Sequence, residues 1–315
     1  MTMRTFSDPD LTTPRQSFTG AAFKGVSTTA RVFVKTRNGA IRDPFIIVEG
    51  FDPILGNPYG FQTMNGFYTS LQSHSFGQRI INDYDIIYVD WANSEQYIQS
   101  NANTLKQVIQ WVNSQKQLSG STSGNVVMGS SMGGLVARYA LKTMENQALP
   151  HQTSIYVSHD SPHLGANIPV GSLYALHGIG SFLENKLNLG SVYSMTTGTP
   201  LEYMLKQIHS PAARQMLVNY VDFGGNINNT DHNLWQQELN TLGFPQGDPS
   251  KPFRMIALAN GSYTPETIPS SYLTANATAS TDLLDVANIL TGGVTAILVG
   301  AFFNDFWAGA LSLVP

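Results

Sequence analysis

The run Asn125-Val-Val-Met-Gly129-Ser130-Ser131-Met132-Gly133-Gly134, continuing through Leu135-Val-Ala-Arg-Tyr-Ala140, constrains this chain more than any other stretch. A short apolar strand leads into a glycine-flanked turn. Apolar residues at helical spacing follow, with no proline among them. The turn carries Gly-Ser-Ser-Met-Gly, a match to the Gly-x-Ser-x-Gly elbow. Strand and helix nearly touch at such a turn, so only small residues fit beside the serine. Gly129 and Gly133 meet that demand, and Gly134 adds slack.

The turn also carries chemistry. A serine hydroxyl is a weak nucleophile at neutral pH and needs a base beside it and donors waiting for the oxyanion. Ser131 is the candidate nucleophile. The residue after it, Met132, offers a backbone N–H at a helix N-terminus, where negative charge is favoured. A second donor is expected from the loop after an earlier buried strand. Pro44-Phe-Ile-Ile-Val-Glu49-Gly50-Phe51-Asp52-Pro53 fits: an apolar strand, a glycine turn, and the N–H of Phe51.

Further strands are expected at Ala30–Lys35, Pro44–Glu49, Tyr84–Asp90, Asn125–Met128, Thr153–Ser158 and Phe253–Leu258, with helices between them. In Asn101–Asn113, Leu105, Val108, Ile109 and Val112 repeat at helical spacing. Apolar strands alternating with helices predict an α/β fold with a mostly parallel sheet covered on both faces. Residues 1–25 are polar and lack the apolar core of a signal peptide, so they read as a flexible leader. Residues 26–315 then form one domain. About 90 residues without a strong strand separate Ser158 from Phe253, far more than the roughly 2–6 residues of an ordinary connection. This marks an insertion at about 165–250, with helices expected at Leu173–Leu189, Leu201–Ile208 and Ala212–Val221. Its Leu, Met and Tyr content suits a lid or the wall of an apolar pocket.

The segment 282–315 is apolar, and Val286–Asn304 holds no charge. It is long enough to cross a bilayer, yet it contains several Gly, Thr and Asn residues and no Lys or Arg anchors its ends. Buried or lid-like helices are the expectation, with peripheral contact to lipid or to an apolar substrate. The net charge of -4 leaves no basic footprint for nucleic acid. With no cysteine, the chain has no disulfide framework, zinc-thiolate site or thiol nucleophile. Nothing in the sequence calls for a metal or a cofactor. Only 12% of residues are charged, which points to the cell surface or outside.

The acid and the base are harder to place. Tyr156-Val-Ser-His159-Asp160-Ser-Pro-His163-Leu-Gly165-Ala follows the next strand and is the densest titratable cluster near the elbow. Asp160 is the candidate acid. The more usual acid position, after the following strand, reads Ala259-Asn260-Gly261-Ser262 and offers no carboxylate. A base is usually found after the last strand, but no histidine follows His232. Three assignments stay open: His163, His232 beside Asp231, or a histidine beyond Pro315. His74 and His209 read as structural.

On these residues the chain resembles the lipase- and esterase-type α/β-hydrolases from about Pro44 to Ser262. The elbow carries most of the likeness. Val48-Glu-Gly-Phe-Asp-Pro53 occupies the oxyanion-strand position. Tyr97-Ile-Gln-Ser-Asn-Ala102 opens the helix before the nucleophile strand. Asp160-Ser-Pro-His-Leu-Gly-Ala166 resembles the Thr-Pro-His-x-Gly segment of bacterial lipases and of inositol deacylases. The set is also similar to hydrolase domains of large bacterial surface or secreted proteins. The resemblance implies an α/β-hydrolase fold with a helical lid-like insertion. It implies ester hydrolysis through a Ser-His-Asp acyl-enzyme, on apolar, lipidic or polymeric esters. A hydrolase-like binding or scaffold module, and an acyltransferase using the same intermediate, are the competing expectations.

Overall fold

The computed structural model describes residues 13–51, 64–168 and 207–259, with a few positions between 170 and 177. In chain order its elements are β1 (Gln16–Thr19), β2 (Thr29–Lys35), β3 (Pro44–Val48), α1 (Met64–Gln72), α2 (Ser75–Asp83), β4 (Asp85–Trp91), α3 (Ile98–Leu118), β5 (Asn125–Ser130) and α4 (Met132–Asn146). They continue with β6 (Thr153–His159), α5 (Pro211–Met216), β7 (Tyr220–Val221), β8 (Ile227–Asn228), α6 (Thr230–Leu242) and β9 (Arg254–Leu258).

Strands β1, β2, β4, β3, β5, β6 and β9 lie side by side in that order in a seven-stranded sheet. β1 pairs antiparallel with β2, and β2 with β4. All other pairs are parallel. The central strands β3 and β4 are buried at every residue, which explains their unbroken apolar runs. Alternate side chains serve opposite faces. Ile46 and Val48 of β3 join Ile87 and Val89 of β4 in a core shared with α3 and α4. Phe45 and Ile47 join Ile86 and Tyr88 in a second core under α1 and α2. Leu105, Val108, Ile109 and Val112 of α3 are each fully buried, and burial of such a side chain contributes about 1.5–3 kcal/mol. A mostly parallel sheet with helices on both faces is the expected α/β-hydrolase fold.

The sequence expectation needs three corrections. Part of the opening segment read as a leader carries β1, an exposed edge strand paired with β2. The helix expected at Ala212–Val221 starts after Ser210, whose side chain accepts from Ala213 N, and ends at Met216. Leu217 is extended (φ -70°, ψ 121°) because it bridges to Ala166, and Tyr220–Val221 forms a short strand instead. Thr230–Leu242 is a helix the sequence reading did not mark. The expected helices at Leu173–Leu189 and Leu201–Ile208 lie largely outside the described residues. Asn260 and the apolar segment 282–315 lie wholly outside them. No described helix is long and apolar enough to cross a membrane.

The described part of the insertion is tied to the core. Gln215 Oε1 accepts from Ile98 N at 2.9 Å and so caps α3, whose own N-cap, Tyr97, offers no side-chain cap. Gln215 Nε2 donates to Gln99 Oε1, and Gln99 Nε2 donates to Glu238 Oε2. Tyr139 OH donates to the other oxygen of Glu238. This web joins α5 and α6 to α3 and α4.

Candidate active site

Ser131 sits between β5 and α4 with φ 53° and ψ -126°. Only glycine adopts such backbone freely, and a side chain there costs on the order of 1–3 kcal/mol. Hydrogen bonds hold the turn: Ser131 N–H donates to His159 O at 2.9 Å, and Ser131 O accepts from Gly134 N at 3.1 Å. The neighbouring glycines are required by contact. A carbon added to Gly129 would lie 2.3 Å from the Gly133 carbonyl carbon, and one added to Gly133 would lie 2.2 Å from Val48 O.

The β3 loop passes beside Ser131. A carbon added to Gly50 would lie 3.0 Å from Ser131 Cβ and 3.7 Å from its Oγ. Phe51 follows directly and packs against both the main core and Ala213, Leu217 and Tyr220 of the insertion. Met132 is buried as the first residue of α4, where a backbone N–H has no carbonyl within the helix to bond. The insertion therefore lies against the loop next to the candidate oxyanion donors.

The candidate acid and bases are not joined to Ser131 by hydrogen bonds. His163 Nε2 pairs with Ser158 Oγ at 2.8 Å, and its buried Nδ1 has no partner among the described residues. Its ring packs on Phe244, 5.7 Å between centroids. Burial, with the Arg138 guanidinium adding to it, pushes this imidazole down to about 4. Asp160 takes a positive φ of 47°, and its N–H donates to Leu258 O at 2.7 Å. Its carboxylate makes no hydrogen bond to a described histidine. The expected Ser131, Asp160 and His163 chain is thus not assembled, because the turn at Asp160 folds His163 back onto Ser158. His232 Nδ1 lies 3.0 Å from Gln215 O, and its ring fills the space beside Gly165. It is a buried helix residue of α6. His209 stacks on Phe223 at 4.0 Å. His74 caps no helix through its side chain and lies near Ser70 and Ser73. Among the described residues Ser131 Oγ has no hydrogen-bond partner.

The sequence reading missed Ser130, Glu49 and Asp90. All three stand at or next to the carboxyl end of a strand, on the face of the sheet under α1 and α2. Their signal was a polar residue closing an apolar run at the carboxyl edge, where ligands bind in open α/β sheets. No group of three His, Asp or Glu residues among the described residues is arranged to hold a metal ion.

No protein-family model matches this chain, and no curated protein does. Solved structures align with parts of it at low scores. An esterase of Pyrobaculum calidifontis aligns over 78% of this chain and 75% of its own, at 16% identity and a TM-score of 0.36. The bottromycin epimerase BotH, in complex with bottromycin A2, aligns over 79% and 91%, at 11% identity and a TM-score of 0.36. Est1E from Butyrivibrio proteoclasticus aligns over 52% of this chain, at 10% identity and a TM-score of 0.30, and this chain spans 55% of its length. At these values the likeness carries nothing about residues or substrate.

Proposed function

We propose that the chain is a serine hydrolase of carboxylic esters, with Ser131 the nucleophile and the N–H groups of Met132 and Phe51 the oxyanion donors. One observation carries the reading: Ser131 holds a side chain at a backbone geometry that penalises one, in a turn whose Gly129 and Gly133 leave no room for a side chain of their own. A strained turn persists where its surroundings over-determine it, and such strain clusters at active sites. Ser131 Oγ attacks the ester carbonyl, a base takes its proton, and the backbone donors hold the oxyanion. The alcohol leaves with that proton, and water then releases the acid.

His163 is the proposed base and Asp160 its orienting acid. For this, the ring must leave Ser158 and turn toward Ser131 as the loop from Asp160 to Gly165 rearranges. Ala213, Leu217 and Tyr220 of the insertion, packed against Phe51, favour an apolar acyl or alcohol group and contact with a lipid or polymer surface, in keeping with a cell-surface or extracellular setting. The test is hydrolysis of p-nitrophenyl acetate together with fluorophosphonate labelling. Ser131→Ala is expected to lose both while remaining folded. Turnover by that variant at the wild-type rate would end the assignment. His163→Ala and His232→Ala, run beside it, assign the base by which one loses labelling.

A second reading has its own observation. Since no described imidazole bonds to Ser131 Oγ, a hydrolase-like binding module fits the geometry as drawn. Folded wild-type protein that resists the fluorophosphonate supports it.

A further inference from the structure

A row of polar side chains crosses the sheet under α1 and α2, one layer beneath the elbow. The register sets Arg31 of β2 beside Asp90 of β4. It pairs Val48 with Val89 and with Gly129, which brings Glu49 between Asp90 and Ser130. Ser130 in turn lies beside His159. These positions share a face because side chains alternate along each strand: Phe33, Tyr88, Ile47 and Val126, an even number of residues away, all enter the core on that side.

Contacts along the row are specific. Arg31 Nη2 lies 2.7 Å from Asp90 Oδ2. The register puts Asp90 next to Glu49, and burial pushes the Asp90 carboxyl up against the opposing pull of Arg31 and Glu49. Glu49 also accepts from Tyr88 OH at 3.0 Å and from Trp91 N at 3.2 Å. Its backbone takes part too: Glu49 N–H donates to Val89 O at 3.2 Å, and Glu49 O accepts from Trp91 Nε1 at 3.0 Å. At the other end, Ser130 Oγ and His159 Nδ1 lie 3.4 Å apart.

Glu49 is thus fastened to β4 through both side chain and backbone. The next residue, Gly50, is the one that touches Ser131, and Phe51 follows it. We propose that Glu49 is a positioning residue: its carboxyl group pins the end of β3 to the end of β4 and so holds the Phe51 N–H over Ser131. This rests on the reading of Ser131 as nucleophile and Phe51 as donor. An oxyanion donor out of place costs rate in the chemical step and little in ground-state binding.

The experiment uses the full chain with Glu49→Ala, Glu49→Gln and Tyr88→Phe. kcat and KM for p-nitrophenyl acetate are measured beside amide hydrogen exchange of the peptide spanning 44–51. Glu49→Ala is expected to lower kcat about 10- to 100-fold, a fraction of the roughly 10²–10³ lost with a whole donor. KM stays within about twofold, and exchange at position 49, whose N–H donates to Val89 O, quickens. Glu49→Gln keeps an acceptor for Tyr88 and Trp91, so it recovers most of kcat. Tyr88→Phe preserves volume and gives a milder loss of kcat, which keeps the test open if Glu49→Ala does not fold. An unchanged kcat in folded Glu49→Ala, a rise in KM alone, or a Glu49→Gln no better than Glu49→Ala overturns the proposal. If the wild type shows no Ser131-dependent turnover, the hydrolase reading fails by itself. Exchange then decides the clamp, and unaltered exchange in the Glu49 variants overturns it.

Discussion

Replacing Ser131 by glycine is expected to stabilise the fold while removing the nucleophile. At φ 53° and ψ -126° the Ser131 Cβ crowds its own backbone, a strain on the order of 1–3 kcal/mol. Glycine has no Cβ and releases it. Against this stands the greater freedom of glycine in the unfolded chain, about 0.5–1 kcal/mol. Little else is lost, since Ser131 Oγ has no hydrogen-bond partner among the described residues. The net gain is about 0.5–2 kcal/mol. Ser131→Ala separates the two parts: it removes the hydroxyl but keeps Cβ and its strain, so it should fall within about 0.5 kcal/mol of wild type. Urea unfolding of the three proteins, fitted with a common slope, measures the differences. The expected order is glycine above alanine, with alanine close to serine. A glycine variant equal to or less stable than the alanine variant would mean that the turn stores no strain, and the argument from geometry to nucleophile would lose its footing.

The same approach separates the two glycines of the α4 start. A carbon on Gly133 meets the Val48 and Glu49 carbonyl oxygens at 2.2 and 2.7 Å, and backbone cannot step aside. Gly133→Ala should cost about 3 kcal/mol or more. A carbon on Gly134 meets Ser161 Oγ at 2.0 Å, which can rotate away, and Ser161 Cβ at 2.8 Å, which needs a small shift of its loop, while alanine recovers up to about 1 kcal/mol of helix propensity. Gly134→Ala should therefore be far milder, and equal losses in urea melts would contradict the contact argument. The His163 imidazole, held down near 4, lies below its unfolded value of about 6.5. The unfolded chain takes up that proton first, so the stability from a neutral ring is complete above pH 6.5 and declines as pH falls toward 4. His163→Asn should lose less stability than wild type between pH 7 and 4.5, and parallel curves would refute the burial account. Trp235 is 1% exposed and stacks on Tyr139 at 5.7 Å. Trp235→Ala should cost about 3–5 kcal/mol, while Trp235→Phe should cost much less, since the buried indole N–H has no partner among the described residues to lose. Similar urea midpoints for the two would show that packing is not what Trp235 supplies.

Much of the sheet was legible because its chemistry is local. β3, β4 and β5 are buried on both faces, so each appears as an unbroken apolar run whose ends fall within a residue or two of the observed strand. β1 left no such mark: its residues are mostly exposed, and what makes it a strand is pairing with β2. α6 was hidden for a related reason. It buries only His232, Trp235 and Leu239, too narrow a stripe to stand out from its polar neighbours. The overrun of α5 shows the converse. Leu217, Tyr220 and Val221 continue an apolar pattern, but the bridge from Leu217 to Ala166 turns the chain extended. A tertiary contact decided what periodicity suggested otherwise.

The site divides along the same line. The elbow is a contact between residues a few positions apart, and its glycines are dictated by distances that the motif itself encodes. The partners of Ser131 are not encoded in that way. Asp160 and His163 were chosen because they stand near the end of β6, and both do. Yet the positive φ at Asp160 turns the next residues back along the sheet, so His163 meets Ser158 from its own strand. Proximity in sequence placed the histidine on the right edge and could not give its direction. The polar row is the reverse case. Arg31, Asp90, Glu49, Ser130 and His159 are scattered along the sequence and become neighbours only through the strand order β2-β4-β3-β5-β6. Each is a single polar residue near the end of its strand, unremarkable alone. Register makes them neighbours in one row across the sheet, so the residues proposed to brace the site are set by topology, whereas the proposed nucleophile is set by a local motif.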